Sequence, residues 1–154
     1  MNITTGVILK ASLLMDDDNF KQAIVVLTEY NEKGAMGFIV SQRFPRQLNE
    51  LVEFRHSPAF PLFNGGPVDQ EHLYFIHRRP DLIDEGQLIG NDIYLGGNFK
   101  QAVAAINNGR LTEKDVKIFV GYCGWDFGEL ETEVAEGYWE FPEEPIDLFT
   151  GPRI

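Results

Sequence analysis

At 154 residues the chain is the size of one domain, and its 44% hydrophobic content is that of a globular protein, which excludes disorder as the default. With 24 acidic against 13 basic residues the formal net charge is −11, so counterion release at nucleic-acid phosphates and attraction to anionic lipid are both disfavoured. A single cysteine excludes an internal disulfide, no apolar run reaches the roughly 20 residues of a membrane span, and the N-terminus lacks the basic-then-apolar order of a signal peptide, so a reduced, cytoplasmic setting is expected.

Gly6 to Ala11 reads as a first strand, followed by a polar loop at Asp16-Asp17-Asp18-Asn19. Ala23 to Tyr30 is a β-branched run too apolar for a one-sided strand and belongs in a sheet interior. Asn31-Glu32-Lys33-Gly34 suits a short hairpin loop, with Ala35 to Val40 returning as the antiparallel partner. Leu48, Leu51 and Val52 predict a short amphipathic helix, and Phe54 to Pro61 a loop broken by two prolines. Pro61 to Phe63 leads into a Gly65-Gly66-Pro67 turn, Leu73 to His77 reads as a strand, and Leu88 to Leu95 as two short strands about a Gly90-Asn91 turn. Asn98 followed by Gln101 has capping-box spacing, and Phe99, Ala102, Val103 and Ile106 form the buried stripe of a helix ended by Gly109.

The block from Gly121 to Trp139 is the richest in signals. Val116, Ile118 and Val120 have strand period, which predicts a strand ending at Gly121 and a turn across Gly121 to Gly124. Asp126 is then the expected helix cap, Glu129 its capping-box partner, and Trp125 with Leu130 a hydrophobic staple. Phe127, Leu130 and Val134 make the apolar face, Gly137 the stop, and Trp139 to Phe141 a last strand before an irregular tail from Glu143 to Ile154. Hairpins with helices inserted at irregular intervals predict a single α+β domain over residues 1–154, with a mixed, largely antiparallel sheet and helices packed on it.

The run G-Y-x-G-W-x-x-G-x-L-E-x-E-x-x-x-G-x-W from Gly121 to Trp139 resembles the signature of the AlgH/YqgE family of small bacterial proteins. The resemblance extends to Asn31 through Gly37, Gly65 through Val68 and His77 through Pro80, and so covers nearly the whole chain in order. Glu129 stands where the family usually has Gln, a mild change in a capping box. Ser41-Gln42-Arg43 stands where it usually has Asn-Arg-Pro, which removes that Asn side chain. The resemblance implies the same α+β class and the label of transcriptional regulator. The acidic charge implies that any regulation works through a protein partner or a small anionic ligand, not through direct nucleic-acid contacts.

The candidate ligand or partner surface consists of the motif residues. Asn31, Gly65, Gly66, Gly121, Tyr122, Gly124 and Trp125 come from the glycine and aromatic signatures, and His77, Arg78 and Arg79 are the one tight basic cluster. Paired guanidinium hydrogen bonds would suit a carboxylate or phosphate, and the plainer alternative is ion pairing with the abundant surface carboxylates. Gly65-Gly66-Pro67 lacks the spacing and the lysine of a phosphate loop, and Gly96-Gly97 before the Asn98 helix is better placed for an anion. Cys123, His77 and Asp126 have the residue types of a thiol nucleophile, base and orienter, with a buried structural cysteine as the alternative. His56, His72 and the Asp16 to Asp18 run show no ligand spacing, so no metal, cofactor or catalytic residue is expected. A small-molecule pocket near His77, Arg78, Cys123 and Trp125, and self-association through Phe54, Phe60, Phe63 and Tyr74, are the competing readings.

Overall fold

A computed structural model describes residues 2–150. The strands run β1 (Ile8–Ala11), β2 (Ile24–Asn31), β3 (Gly34–Ile39), β4 (Arg43–Gln47), β5 (Pro61–Asn64), β6 (Val68–His77), β7 (Gln87–Gly90), β8 (Ile93–Leu95), β9 (Val116–Asp126) and β10 (Trp139–Glu140). The helices are α1 (Phe99–Asn107) and α2 (Glu129–Ala135). Hydrogen bonding orders the sheet β10-β1-β2-β3-β9-β6-β8-β7, with β5 joining β9 and β4 joining β5. The only parallel pair among these is β5 with β9. The expected α+β, largely antiparallel architecture is present, with the sheet dominant and the helices short.

β2 carries five consecutive buried residues, as its two-sided apolar run requires, and closes on β3 through Asn31 and Gly34. Asn31 Oδ1 accepts from the Lys33 backbone N–H, 2.8 Å away, which shapes the hairpin tip. Gly34 is fixed by a neighbour as well as by the turn: a Cβ there would run into the Trp125 carbonyl oxygen of β9.

Several local expectations are corrected. β9 does not end at Gly121 but continues to Asp126, because Gly121 adopts φ +73 inside the strand and redirects it instead of stopping it. Before that kink β9 pairs with β5 and β6, and after it Cys123 to Asp126 pair with Gly37 to Gly34 of β3. Consequently Asp126 is not a helix cap. The left-handed Gly128 precedes α2, and only the return half of the box forms, with Glu129 Oε1 accepting from the Asp126 backbone N–H at 2.6 Å. Phe127 precedes the helix and is 74% exposed, while Leu130 is fully buried in the same apolar cluster as Trp125. Asn98 does cap α1, accepting from Gln101 N–H at 3.1 Å, but the Gln101 side chain pairs with Asp84 and does not reach back.

The predicted helix at Leu48 to Val52 is two 3-10 turns, Leu48–Glu50 and Val52–Phe54, with Leu48 buried and Val52 exposed. The turn between β7 and β8 falls on Asn91 and Asp92, both left-handed as a type I′ hairpin demands. Phe60 and Phe63 are buried, so they cannot serve an exposed self-association face. The predicted last strand shortens to Trp139–Glu140, and residues 151–154 of the expected tail lie outside the described residues. None of the described helices is long and apolar enough to cross a membrane.

Candidate functional site

The motif glycines converge at one backbone crossing. Gly65 donates to the Val120 carbonyl at 2.9 Å, and its own carbonyl accepts from Ile39 N–H at 2.9 Å and from the Cys123 thiol at 3.3 Å. A Cβ on Gly66 would meet the Tyr122 carbonyl, and one on Gly121 the Gly66 carbonyl, far inside van der Waals contact. Gly65, Gly66, Gly121 and Tyr122 are therefore brought together as closely apposed main chains. Gly124 lies in the following β3–β9 ladder, opposite Met36.

Both arginines of the basic cluster are engaged with carboxylates. Arg79 makes a two-pronged pair with Asp81, both contacts 2.9 Å, and reaches Asp115 at 3.6 Å. Arg78 pairs with Asp147 at 3.2 Å and lies 4.3 Å over the Phe149 ring, pinning the C-terminal segment to the sheet. His77 is fully buried between Phe75 and Tyr94, donates from Nε2 to the Gly96 carbonyl at 3.0 Å, and accepts at Nδ1 from Arg79 N–H at 3.1 Å. Both ring nitrogens are spent, and burial holds its pKa below the ordinary histidine value despite the Gly96 bond. Asp84 lies against the start of α1, its carbonyl accepting from Asn98 N–H at 2.9 Å and its carboxylate from the Gln101 side chain at 2.9 Å.

The thiol triad is not assembled: both His77 nitrogens are committed to Gly96 and Arg79, the Cys123 thiol bonds the Gly65 carbonyl, and His77 stands opposite Val116, seven residues before Cys123 on β9. Burial pushes the Cys123 thiol up to about 12, the opposite of an activated nucleophile.

The remaining signature residues meet elsewhere. Trp125 Nε1 and Trp139 Nε1 both donate to Glu133 Oε1, at 3.1 and 2.9 Å, and Phe20 packs on both indoles. This bracket ties α2 to β9 and β10.

An open concavity of about 640 Å³ lies away from the glycine, tryptophan and basic motifs, with Phe54 of the expected self-association face in its lining. Phe44, Leu51, Phe54, Leu73 and Phe99 supply its apolar lining, from β4, the 3-10 turns, β6 and α1. Glu50, Glu53 and Glu71 line it as carboxylates, against Arg46 and His72 as cationic groups. On the β6 side the wall is a bulge: the register with β9 shifts between Val68 and Leu73, and Asp69 adopts φ +52. Asp69 accepts from Tyr74 through one oxygen and contacts His72 Nδ1 at 2.7 Å through the other. Tyr74 is in turn set against Tyr122 and Phe38. The Tyr74 and His72 bonds lower the Asp69 carboxyl, and Asp69 raises His72 and takes the Tyr74 phenol to about 12. Asp69, His72 and Tyr74 lie within six residues of one another on β6, whereas the rings of Phe38 and Tyr122 set against Tyr74 are remote in sequence. Among the described residues no group of three or more His, Cys, Asp or Glu is arranged to hold a metal.

Set beside known proteins, residues 8–153 match the family described as AlgH-like. A UPF0301 protein of Chlorobium luteolum is 34% identical over 150 residues, covering 97% of this chain and 79% of its own. One of Bacteroides thetaiotaomicron is 30% identical over 141 residues, covering 90% and 71%. The solution structure of the AlgH protein from Pseudomonas aeruginosa superposes with a TM-score of 0.73 at 27% identity, covering 99% of this chain and 87% of that one. A crystal structure from Corynebacterium diphtheriae, at 18% identity and a TM-score of 0.76 over 97% and 85% of the two chains, is alike in fold.

Proposed function

Since the chain belongs to the AlgH-like family, we propose that it is a regulator that acts through contacts with a protein partner or ligand and does not read DNA directly. The observation that carries this reading is the open groove of Phe44, Leu51, Phe54, Leu73 and Phe99. It is a preformed apolar surface on a protein whose net charge of −11 opposes phosphate backbones. The enzymatic alternative, a pocket shared by His77, Arg78, Cys123 and Trp125, finds no support in the separation of His77 from Cys123 along β9.

The test pairs two measurements. A mobility shift at physiological salt with DNA from the source genome is expected to give no specific complex, and a tight specific shift overturns the reading. Affinity purification from the native bacterium is expected to retain a partner or ligand with the unaltered protein and to lose it with Val52→Arg, a change at an exposed groove position that the core tolerates. Equal retention by both proteins places the contact elsewhere and removes the groove from the argument.

A further inference from the structure

Resting on the reading of the groove as a contact surface, we propose that its occupant is a short amphipathic segment of a protein partner, carrying apolar anchors flanked by lysine or arginine.

The anchors follow from the lining. Phe54 and Phe99 meet edge to face at 5.7 Å, and Leu51 and Leu73 are only partly buried, so apolar area is left for a partner to cover. Val52, at the same groove, is a large aliphatic side chain left 78% exposed by the described residues. The flanking charge follows from the rim. Glu50, Glu53 and Glu71 place three carboxylates around the opening. Of the two cationic groups, Arg46 is a fixed charge, while His72 is already committed to Asp69. Carboxylates therefore outnumber cations at the rim, in the same sense as the whole chain.

The mode of docking follows from β4. Among the described residues its one strand partner is β5, while Phe44 and Arg46 of β4 line the groove, and Pro45 between them removes a ladder donor and disfavours addition of a partner strand. Recognition then falls to side chains seated in the groove, the arrangement an amphipathic segment supplies.

The experiment uses the intact protein and three labelled peptides of about 14 residues, roughly four helical turns. One has leucine anchors with lysine flanks, one the same leucines with glutamate flanks, and one lysine flanks with the leucines replaced by serine. Fluorescence anisotropy is expected to show saturable binding of the leucine–lysine probe, about tenfold or more tighter than either control. The double reversal Glu53→Lys/Glu71→Lys is expected to weaken that probe about tenfold, and Glu143→Lys/Glu144→Lys, the same charge change at exposed positions away from the groove, to leave it within about twofold.

Equal loss in both double variants reduces the effect to net charge and overturns the proposal, as does equal binding of the lysine and glutamate probes. Tight binding of decanoate that Val52→Arg abolishes, with no binding of the leucine–lysine probe, or a dimer by sedimentation that Val52→Arg dissolves, assigns the groove to an anionic amphiphile or a second copy and likewise overturns it. If no probe binds although Val52→Arg still loses the native partner, the partner chemistry is wrong while the groove remains a contact surface.

Discussion

Trp125 and Trp139 donate their indole N–H groups to the same oxygen, Oε1 of Glu133, so the two tryptophans of the chain report on one carboxylate. Glu133→Ala leaves two partly or fully buried donors without an acceptor, a loss of about 2–4 kcal/mol at about 1–2 kcal/mol per orphaned group. Glu133→Gln keeps an oxygen in place and should cost less than half as much. Urea midpoints and tryptophan emission check both; equal destabilisation by the two variants would mean that the charge, not the acceptor, is what matters.

Glycine substitutions separate conformation from crowding. Gly109 ends α1 at φ +81 with open space around it, so Gly109→Ala meets only the left-handed penalty of about 1 kcal/mol. Gly121 has φ +73 and also faces the Gly66 and Val68 carbonyls, so Gly121→Ala is expected to cost about 3 kcal/mol or more and to loosen the β6–β9 ladder. Thermal denaturation of the pair gives the contrast, and similar midpoints would refute the close-packing argument.

The Cys123 thiol is fully buried, bonded to the Gly65 carbonyl and raised to about 12. Ellman's reagent should therefore label native protein only as fast as it opens, with stoichiometric labelling appearing on denaturation. Rapid labelling of the folded protein at neutral pH would contradict this.

The two histidines on β6 act oppositely on stability. Burial lowers His77 from the ordinary 6.5, so the unfolded chain takes up the proton first; its contribution is present above about pH 6.5 and is lost as the pH falls from there through the lower folded value. The Asp69 bond raises His72, whose contribution is complete below about 6.5 and is lost as the pH rises through its folded value. In His72→Ala only the His77 effect remains, so the urea midpoint should fall more steeply between about pH 7 and about pH 5 than in the unaltered protein. Parallel profiles would show that His72 gains nothing from Asp69.

The hairpin of β2 and β3 was legible because its signals are local: an apolar run, then Asn31 and Gly34, then a second run. The cap at Asn98 was legible for the same reason. Gly121 misled because a glycine after a strand pattern reads as a stop, and only the crossing with Gly66 shows that it is a bend in a continuing strand. Arg78 looked available because its partner Asp147 is remote in sequence, whereas the main partner of Arg79, Asp81, stood two residues away in plain view. The groove was invisible for a related reason. Its walls come from β4, the 3-10 turns, β6 and α1, and no periodicity within one segment encodes their meeting. The bracket of Trp125, Glu133 and Trp139 lay in plain sight as signature residues, but spacing showed only a staple and not a shared acceptor.

Because β9 is laced first to β5 and β6 and then to β3, it acts as a common seam for the two halves of the sheet. The two halves use successive stretches of one continuous strand, so loosening either one frees an end of the strand that anchors the other. Slow amide exchange in β2 and in β6 should then share one opening event, and a lesion anywhere along the seam becomes a lesion of the whole molecule.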